Sequence, residues 1–184
     1  MKKFFLAILF LSLSVTLVSA QEFKNGDNVL SLGLGVGSAL GSFGSSSETP
    51  AISVQYEHGQ WEVGGPGVIS LGGYLGFKSY KYENYYYSEK LSYTVIGIRS
   101  AYHYTGLKVK NLDVYGGAML SYNIAGYTFD SPDPYWNYRK GAYANYLSLS
   151  LYVGGRYYFS SNVAGFLELG YGISYLTIGG SYRF

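Results

Sequence analysis

The amino-acid sequence predicts an all-β protein, an eight-stranded antiparallel up-and-down transmembrane β-barrel with both termini on the periplasmic side. Three observations lead to this prediction. Apolar and polar residues alternate with a period of two through eight segments, which is typical of strands with one apolar face. Aromatic residues recur at the ends of the apolar faces. Beyond its first twenty residues the chain has no run of 18 apolar residues, so a membrane-spanning helix is not expected.

The first twenty residues have the three parts of a cleavable signal peptide. Lys2 and Lys3 form a positive start, residues 4–17 are almost all apolar, and residues 18–20 are the small-residue sequence Val-Ser-Ala. The apolar stretch is shorter than the ~20 residues that a spanning helix needs. We therefore expect residues 1–20 to be cleaved and residues 21–184 to form one outer-membrane β-barrel domain.

The composition is unusual for a secreted soluble domain. The 184 residues include 26 Gly, 23 Tyr and 10 Phe but only 13% charged residues, about half the usual charged share. Abundant Tyr and Gly favour strands with aromatic belts and close backbone approaches. The absence of Cys excludes disulfides and a lipid-anchored cysteine. A formal net charge of +2 is too small to indicate a nucleic-acid partner.

The alternation divides the chain from Asp27 onward into eight predicted strands. These strands are residues 30–40, 52–57, 69–78, 95–104, 112–124, 147–159, 166–171 and 176–184. After the first loop the connections alternate between short and long, as in barrels with tight turns at one end. Paired glycines occur at residues 72–73, 116–117, 154–155 and 179–180. Glycine pairs inside strands indicate a tightly curved sheet.

The aromatic residues favour a membrane barrel over an exported soluble β domain, which would show the same alternation. On the apolar faces, one end of the even-numbered strands carries Tyr56, Tyr102, Tyr104, Tyr157, Phe159, Tyr182 and Phe184. A second set is expected at the opposite end, comprising Phe77, Tyr122, Tyr143 and Tyr171. A soluble core does not require aromatic residues to lie at the same end of every second strand, whereas a membrane barrel has an aromatic girdle at each interface.

The last predicted strand ends on an aromatic residue. In it, Leu176, Ile178, Gly180, Tyr182 and Phe184 alternate with more polar residues. This pattern resembles the closing strand of bacterial outer-membrane β-barrels, and the whole chain resembles the small eight-stranded OmpA and OmpX type. The resemblance implies a monomer in outer-membrane lipid of Gram-negative bacteria, with Tyr182 and Phe184 as the assembly signal read by the barrel-assembly machinery.

Most charged strand residues fall on the face predicted to point inward. These residues are Glu57, Lys78, Arg99, Asp113, Arg156, Glu168 and Arg183. An eight-stranded barrel is only wide enough for its own side chains to fill. We expect Arg156 opposite Glu168 or one diagonal step away, and Arg99 near Glu168 across the interior. The predicted lumen ion-pair network therefore comprises Arg99, Arg156, Glu168 and Arg183, and it closes the barrel to solutes.

Two connections predicted to lie outside the cell are rich in aromatic residues. The candidate loop binding surface comprises Tyr85, Tyr86, Tyr87, Phe129, Tyr135, Trp136 and Tyr138. Tyr and Trp provide a large contact area at low entropy cost, so they are typical of binding surfaces. The alternative, equally supported, is that the hairpins extend the sheet and their aromatic rings stack on each other.

Catalytic and metal-binding patterns are weak. His58 and His103 fall at the predicted periplasmic ends of strands, whereas barrel enzymes that modify lipid A hold their catalytic groups near the outer rim, so no His-based triad is expected. Asp130 and Asp133 could bind calcium, but their spacing fits a solvated turn better. We expect no catalytic residue, no metal and no cofactor.

The predicted function is that of a non-enzymatic outer-membrane protein, structural or surface-binding through its aromatic loops, as in adhesion. A narrow, porin-like channel for small solutes is the alternative, and a lipid-modifying enzyme is a third reading. The inward charges distinguish the first two, because paired charges close a lumen whereas unpaired charges line a wet path.

Overall fold

The computed structural model describes residues 23–40, 44, 47–107, 109–131 and 144–184. The expected signal peptide and the aromatic residues Tyr135, Trp136, Tyr138 and Tyr143 lie outside these residues. In the described residues there are nine strands: β1 (Asn28–Val36), β2 (Ser47–Glu48), β3 (Ala51–Glu62), β4 (Gly67–Glu83), β5 (Ser88–Tyr104), β6 (Leu112–Asp130), β7 (Tyr146–Tyr158), β8 (Val163–Gly170) and β9 (Leu176–Arg183). Within the same ranges, no helix is long and apolar enough to cross a membrane.

The eight long strands form a closed antiparallel barrel. Each pairs with its neighbour in chain order, and β1 pairs with both β3 and β9, which closes the ring. The two-residue strand β2 pairs with β4 at Tyr80 and Lys81, beyond the residues of β4 that pair with β3. Backbone hydrogen bonding therefore continues around the whole wall, and every long strand has a hydrogen-bonded neighbour on each side. The predicted fold class of an all-β eight-stranded barrel is confirmed.

The barrel has two distinct ends. At one end β1 begins and β9 finishes, with Val29 opposite Arg183; we call this the terminal end. At the other, the loop end, β4 and β5 are joined by residues 84–87. The periplasmic position of the terminal end is still a prediction.

Three strands extend farther towards the loop end than the sequence pattern predicts. β4, β5 and β6 remain paired as far as Glu83, Ser88 and Asp130, so parts of the connections expected after residues 78 and 124 are strand. We call the part of these strands beyond Phe77 the projection. The strands were predicted too short because the outward residues change from apolar to polar at this height, although the backbone pairing between the strands continues. At the terminal end, β3 also continues past residue 57 to Glu62.

The first predicted strand is too long. β1 ends at Val36, and Gly37 has a φ of 69°, which turns the chain. Leu40, expected on the outer face, is only 7% exposed and belongs to an apolar cluster inside the barrel. The period of two stops predicting direction where the strand ends.

The predicted faces of the barrel strands are confirmed. Outward apolar residues are exposed, for example Leu32 at 61% and Leu149 at 67%, whereas the inward side chains of Arg99 and Arg156 are at most 2% exposed. Exposed aromatic residues flank the apolar band at both ends: Tyr56, Tyr102, Tyr104, Tyr157, Phe159, Tyr182 and Phe184 near the terminal end, and Phe77, Tyr122 and Tyr171 towards the loop end. This distribution is the reverse of a soluble protein's.

Gly72 and Gly73 allow a matched test of how tightly the wall packs. A methyl group on Gly72 would collide with the carbonyl oxygen of Tyr56, whereas one on Gly73 would meet nothing within 4 Å. We expect Gly72→Ala to lower the free energy of unfolding by about 1–3 kcal/mol, as overpacking does, and Gly73→Ala to change it by less than about 0.5 kcal/mol. Urea unfolding of the refolded protein in detergent measures both. Equal stability of the two variants would contradict this packing.

Candidate functional site

A compact cluster of buried ionisable side chains lies in the lumen. This lumen cluster comprises Glu57 of β3, Arg99 and His103 of β5, Asp113 of β6, Arg156 of β7 and Glu168 of β8. Each of the six residues is at most 8% exposed. They come from five strands, and the alternation turns all of them inward. The cluster therefore joins opposite walls of the barrel.

Arg156 is the centre of the cluster. Its Nη1 donates to Oδ2 of Asp113 at 3.0 Å, and its Nη2 donates to Oε2 of Glu57. Glu168 lies one diagonal step from Arg156, as expected, but the salt bridges of Arg156 in the described residues are with Glu57 and Asp113 instead. The register places Phe166 opposite Arg156 on β8, whereas Asp113 is its direct partner on β6. A directly opposite carboxylate is closer than a diagonal one, so the guanidinium turns towards β6.

Arg99 connects to the remaining carboxylate. Its Nη2 donates to Oε2 of Glu168 at 2.8 Å, and its Nε lies 3.8 Å from Oε1 of Glu57. The Arg99 guanidinium also lies 4.0 Å from the centre of the Tyr152 ring, whose hydroxyl accepts from Nε at 3.1 Å. The structure thus brings Arg99 and Glu168 together, and Glu57 links their pair to that of Arg156.

Arg183 does not belong to the lumen cluster, although the sequence analysis placed it in the same network. It lies at the terminal end, where Nη1 is 3.5 Å from Oδ2 of Asp27 and Nη2 donates to the carbonyl oxygen of Ser161 at 2.6 Å. Its guanidinium covers the Tyr158 ring at 4.3 Å. Arg183 therefore fastens the turn between β7 and β8 to the start of β1.

The sequence analysis placed His103 at a strand end but did not include it in the predicted ion-pair network. Its Nδ1 lies 2.8 Å from Oδ1 of Asp113 and its Nε2 lies 3.1 Å from Oγ of Ser70, an order that is similar to a Ser-His-Asp triad. Ser70 is 1% exposed, His103 is 0% exposed, and the ring of Phe23 stacks on His103 at 3.9 Å. A substrate has no access to this hydroxyl, so the contacts are structural. His103 and Arg99 are four residues apart on β5 and therefore lie on the same inward face, and this spacing is the sequence signal that places His103 in the lumen cluster.

Side chains from outside the barrel strands fill both mouths of the lumen. At the terminal end Phe23 is 1% exposed and packs with Val29 and Val68. At the loop end Leu40 and Ile173 enter an apolar cluster with residues that include Tyr74, Tyr80, Leu91 and Tyr93. Beside Arg99 and Glu168, next to Ile173 of the loop-end filling, is a partly open pocket of about 30 Å³, which is room for roughly one water molecule.

Lys78 holds the first loop over the loop end of the lumen. It is 1% exposed, and its Nζ donates to the carbonyl oxygen of Gly37 at 2.9 Å and lies 3.2 Å from Oε2 of Glu48. The segment that carries Leu40 is also bonded to the bend before β9, through Ala39 N and the carbonyl oxygen of Gly172 at 2.9 Å. These contacts keep Leu40 inside the barrel.

The described part of the aromatic loop surface contains both exposed and stacked rings. Tyr85 and Tyr86 at the tip of the β4–β5 hairpin are 93% and 72% exposed. Tyr87 stacks on Phe129 with ring centres 5.6 Å apart and also contacts Tyr82 at 5.6 Å. The stacked rings brace the projection, so only the tip presents free aromatic surface among these residues.

Comparison with known proteins supports the architecture. No family model and no curated protein matches the sequence. The crystal structure of Ail, the attachment invasion locus protein of Yersinia pestis, matches with 11% identity and a TM-score of 0.53, covering 87% of this chain and 99% of that chain. Ail in complex with the heparin analogue sucrose octasulfate matches with the same identity and coverage and a TM-score of 0.52.

A third match is the backbone structure of the Yersinia pestis outer membrane protein Ail in a phospholipid bilayer nanodisc. Its identity is 12%, its TM-score is 0.49, and the match covers 87% of this chain and all of the other. At the identities of the crystal structures the likeness shows the fold alone. The chain has the fold of a small eight-stranded outer-membrane β-barrel.

Arg156 and Arg183 allow a test of how much the lumen cluster stabilises the barrel. Arg156→Met would leave Glu57 and Asp113 buried without their guanidinium, so we expect the free energy of unfolding to fall by about 3–5 kcal/mol. Arg183→Met, at the partly exposed mouth, should cost below about 1 kcal/mol. Thermal and urea unfolding in detergent compare the two. An Arg156→Met variant as stable as Arg183→Met would show that the cluster contributes little.

Proposed function

We propose that this chain is a monomeric, non-enzymatic outer-membrane β-barrel protein of Gram-negative bacteria that is assembled by the barrel-assembly machinery. One observation carries the proposal: the outer face of the barrel has an apolar band around its circumference, and at the height of this band the charged side chains, such as Arg99, Arg156 and Glu168, lie inside. Such a face is costly in water, whereas a bilayer makes it the stable arrangement. The aromatic residues at both ends of the band fit the two interfaces.

A closed barrel is favoured over the alternative of a small-solute channel. The lumen cluster pairs its charges across the interior, with Arg156 between Glu57 and Asp113. Phe23 and Leu40 are buried in the two mouths of the lumen. An eight-stranded barrel is only wide enough for its own side chains, so the paired charges and the two plugs favour an interior that serves stability and a function on the outer surfaces.

The loop end is the proposed surface for contact with a polysaccharide or a partner protein. Tyr85 and Tyr86 are its most exposed aromatic residues in the described chain, and their rings offer contact area without large entropy loss. Tyr135, Trp136 and Tyr138 would extend the same surface. Ail, with which this chain shares its fold, was crystallised with a heparin analogue, and we therefore include sulfated polysaccharides among the candidates.

Location and closure can be tested together. After expression in a Gram-negative host, we expect the protein in the outer-membrane fraction as a compact band that shifts on boiling, because closed barrels resist dodecyl sulfate until heated. Purified protein added to a planar bilayer should give no steady conductance. An inner-membrane or periplasmic location would overturn the proposal, and steady single-channel currents would favour the channel instead.

The loop surface can be tested with cells that display the protein. We expect these cells to be retained on heparin-coated or dextran-coated beads, and Tyr85→Ser with Tyr86→Ser to reduce retention about tenfold, which corresponds to a loss of about 1.4 kcal/mol for the two rings together. Trp61→Ser is the matched control, because Trp61 is 53% exposed near the terminal end. Equal retention of the double variant, or loss in the control, would contradict a binding role for the tip.

A further inference from the structure

The interior of the barrel changes from ionic to apolar towards the loop end. Beyond the ion pairs of the lumen cluster, most inward residues are aromatic or aliphatic, and those that pack together are at most 7% exposed. We call the following strand residues the mouth cluster: Tyr74, Tyr80, Leu91, Tyr93, Val95, Met119 and Tyr152. Ligand pockets are predominantly apolar with a few polar groups, and the mouths of β-barrels are among their preferred places. The mouth cluster has this composition and this position.

The mouth cluster is filled by Leu40, a residue that belongs to no barrel strand. Leu40 is 7% exposed and packs in the same apolar cluster, although its segment leaves β1 at Gly37, where φ is 69°. The segment is fastened by Nζ of Lys78, which donates to the carbonyl oxygen of Gly37 at 2.9 Å. Ala39 N also donates to the carbonyl oxygen of Gly172 at 2.9 Å. Because segments with few such bonds open locally at low cost, Leu40 can leave the mouth cluster while the barrel wall stays paired.

The hydroxyl of Tyr80 is buried in the mouth cluster without a hydrogen bond. Tyr80 is 2% exposed, and among the described residues its Oη has no donor or acceptor within bonding distance. Its ring packs edge-on against that of Tyr93, with ring centres 6.4 Å apart, so apolar surface surrounds it. A buried tyrosine hydroxyl usually finds a partner. The Tyr80 hydroxyl therefore marks a position at which a ligand oxygen would complete the hydrogen bonding.

The space that Leu40 occupies matches a single aromatic ring. The partly open pocket of about 30 Å³ beside Arg99 shares Tyr74, Met119 and Tyr152 with the mouth cluster. Withdrawal of one leucine side chain from an apolar cluster opens a cavity on the order of 100–150 Å³, a size that holds a benzene ring. Because the ion pairs of the lumen cluster lie on the terminal side, the enlarged pocket would end blindly and would give no path through the barrel.

The charge at the rim of the mouth cluster is already paired, which favours an uncharged ligand. Nζ of Lys78 lies 3.2 Å from Oε2 of Glu48 and 5.1 Å from the centre of the Tyr80 ring. If the Leu40 segment moves, Lys78 loses the carbonyl oxygen of Gly37 but keeps this carboxylate. An ion that enters an apolar cluster without a partner pays a large desolvation cost. The mouth cluster therefore suits a neutral aromatic molecule with one oxygen atom.

We propose that the mouth cluster is a binding pocket for a small, neutral, phenol-like molecule, and that Leu40 occupies it when no ligand is bound. The ligand ring would replace the Leu40 side chain beside Tyr93 and Met119, and the ligand oxygen would bond to Oη of Tyr80. Ligand and Leu40 compete for one space, so the affinity is reduced by the fraction of molecules in which Leu40 is inside. This pocket is separate from the surface-binding role proposed for the aromatic tip.

Binding of fluorinated probes to the purified, heat-modifiable protein in detergent tests the inference. Fluorine NMR would measure the affinity for para-fluorophenol and for fluorobenzene, which lacks the hydroxyl, with detergent alone as the blank. We expect Leu40→Ala to bind para-fluorophenol about tenfold more tightly than the parent, because the ligand no longer displaces a buried leucine. Leu149→Ala shortens a leucine that is 67% exposed on the outer face, and this control should keep the parent's affinity. Tyr80→Phe should weaken para-fluorophenol about fivefold and leave fluorobenzene unchanged.

The absence of saturable para-fluorophenol binding to a heat-modifiable Leu40→Ala variant would overturn the pocket. Equal affinities of Leu40→Ala and Leu149→Ala would overturn the role of Leu40, and an unchanged affinity of Tyr80→Phe would overturn the assigned hydrogen bond. Tighter binding of para-fluorobenzoate than of para-fluorophenol would overturn the choice of a neutral ligand. Should Leu40→Ala lose its heat-modifiable band, Leu40→Val makes the same comparison with a smaller change, and we expect it to bind about threefold more tightly than the parent.

Discussion

The burial of Arg156 is the interaction on which the rest of the structure depends. Its guanidinium is excluded from solvent and bonds to Asp113 from the neighbouring strand and to Glu57 from across the lumen. A buried charge is stable only when paired and hydrogen-bonded, so these contacts fix how closely β3, β6 and β7 approach. In the proposed membrane location the outer face would meet lipid and offer no partner for a charge. Each strand would therefore have to turn its charged side chains towards the lumen.

The side chains of the projection also alternate between outward and inward, but here the outward residues are polar and the inward residues are apolar. In the membrane part of β4, Phe77 faces outward and Lys78 inward, whereas a few residues later Lys81 faces outward and Tyr80 inward. The backbone keeps its period of two, but in the proposed location water would replace lipid outside, and apolar strand residues such as Tyr80, Leu91 and Tyr93 replace ions inside. A sequence pattern that expects one apolar face throughout ends the strand at this exchange, which is why the strands were predicted too short.

The direction of a strand side chain could be predicted because it depends only on the position of the residue along its own strand. The period of two alone turns Arg99, Arg156 and Glu168 inward. Which inward groups meet depends on the tilt and stagger of the closed barrel, a non-local property, and therefore the partners of Arg156 could not be derived. Phe23 and Leu40 enter the lumen from segments without strand periodicity, so no pattern in the sequence indicates that they fill its mouths.

On the proposal of a closed interior, the surfaces of the projection are the places where this protein would act. The tip presents Tyr85 and Tyr86 to the medium, while Lys81 and Lys90 lie on the outer face of the same sheet. β4, β5 and β6 are paired continuously from the apolar band to Asp130, so the length of this three-stranded sheet sets the height of the tip above the band. Because the pairing continues without a break, the aromatic tip is held by the same hydrogen-bonded wall that surrounds the lumen cluster.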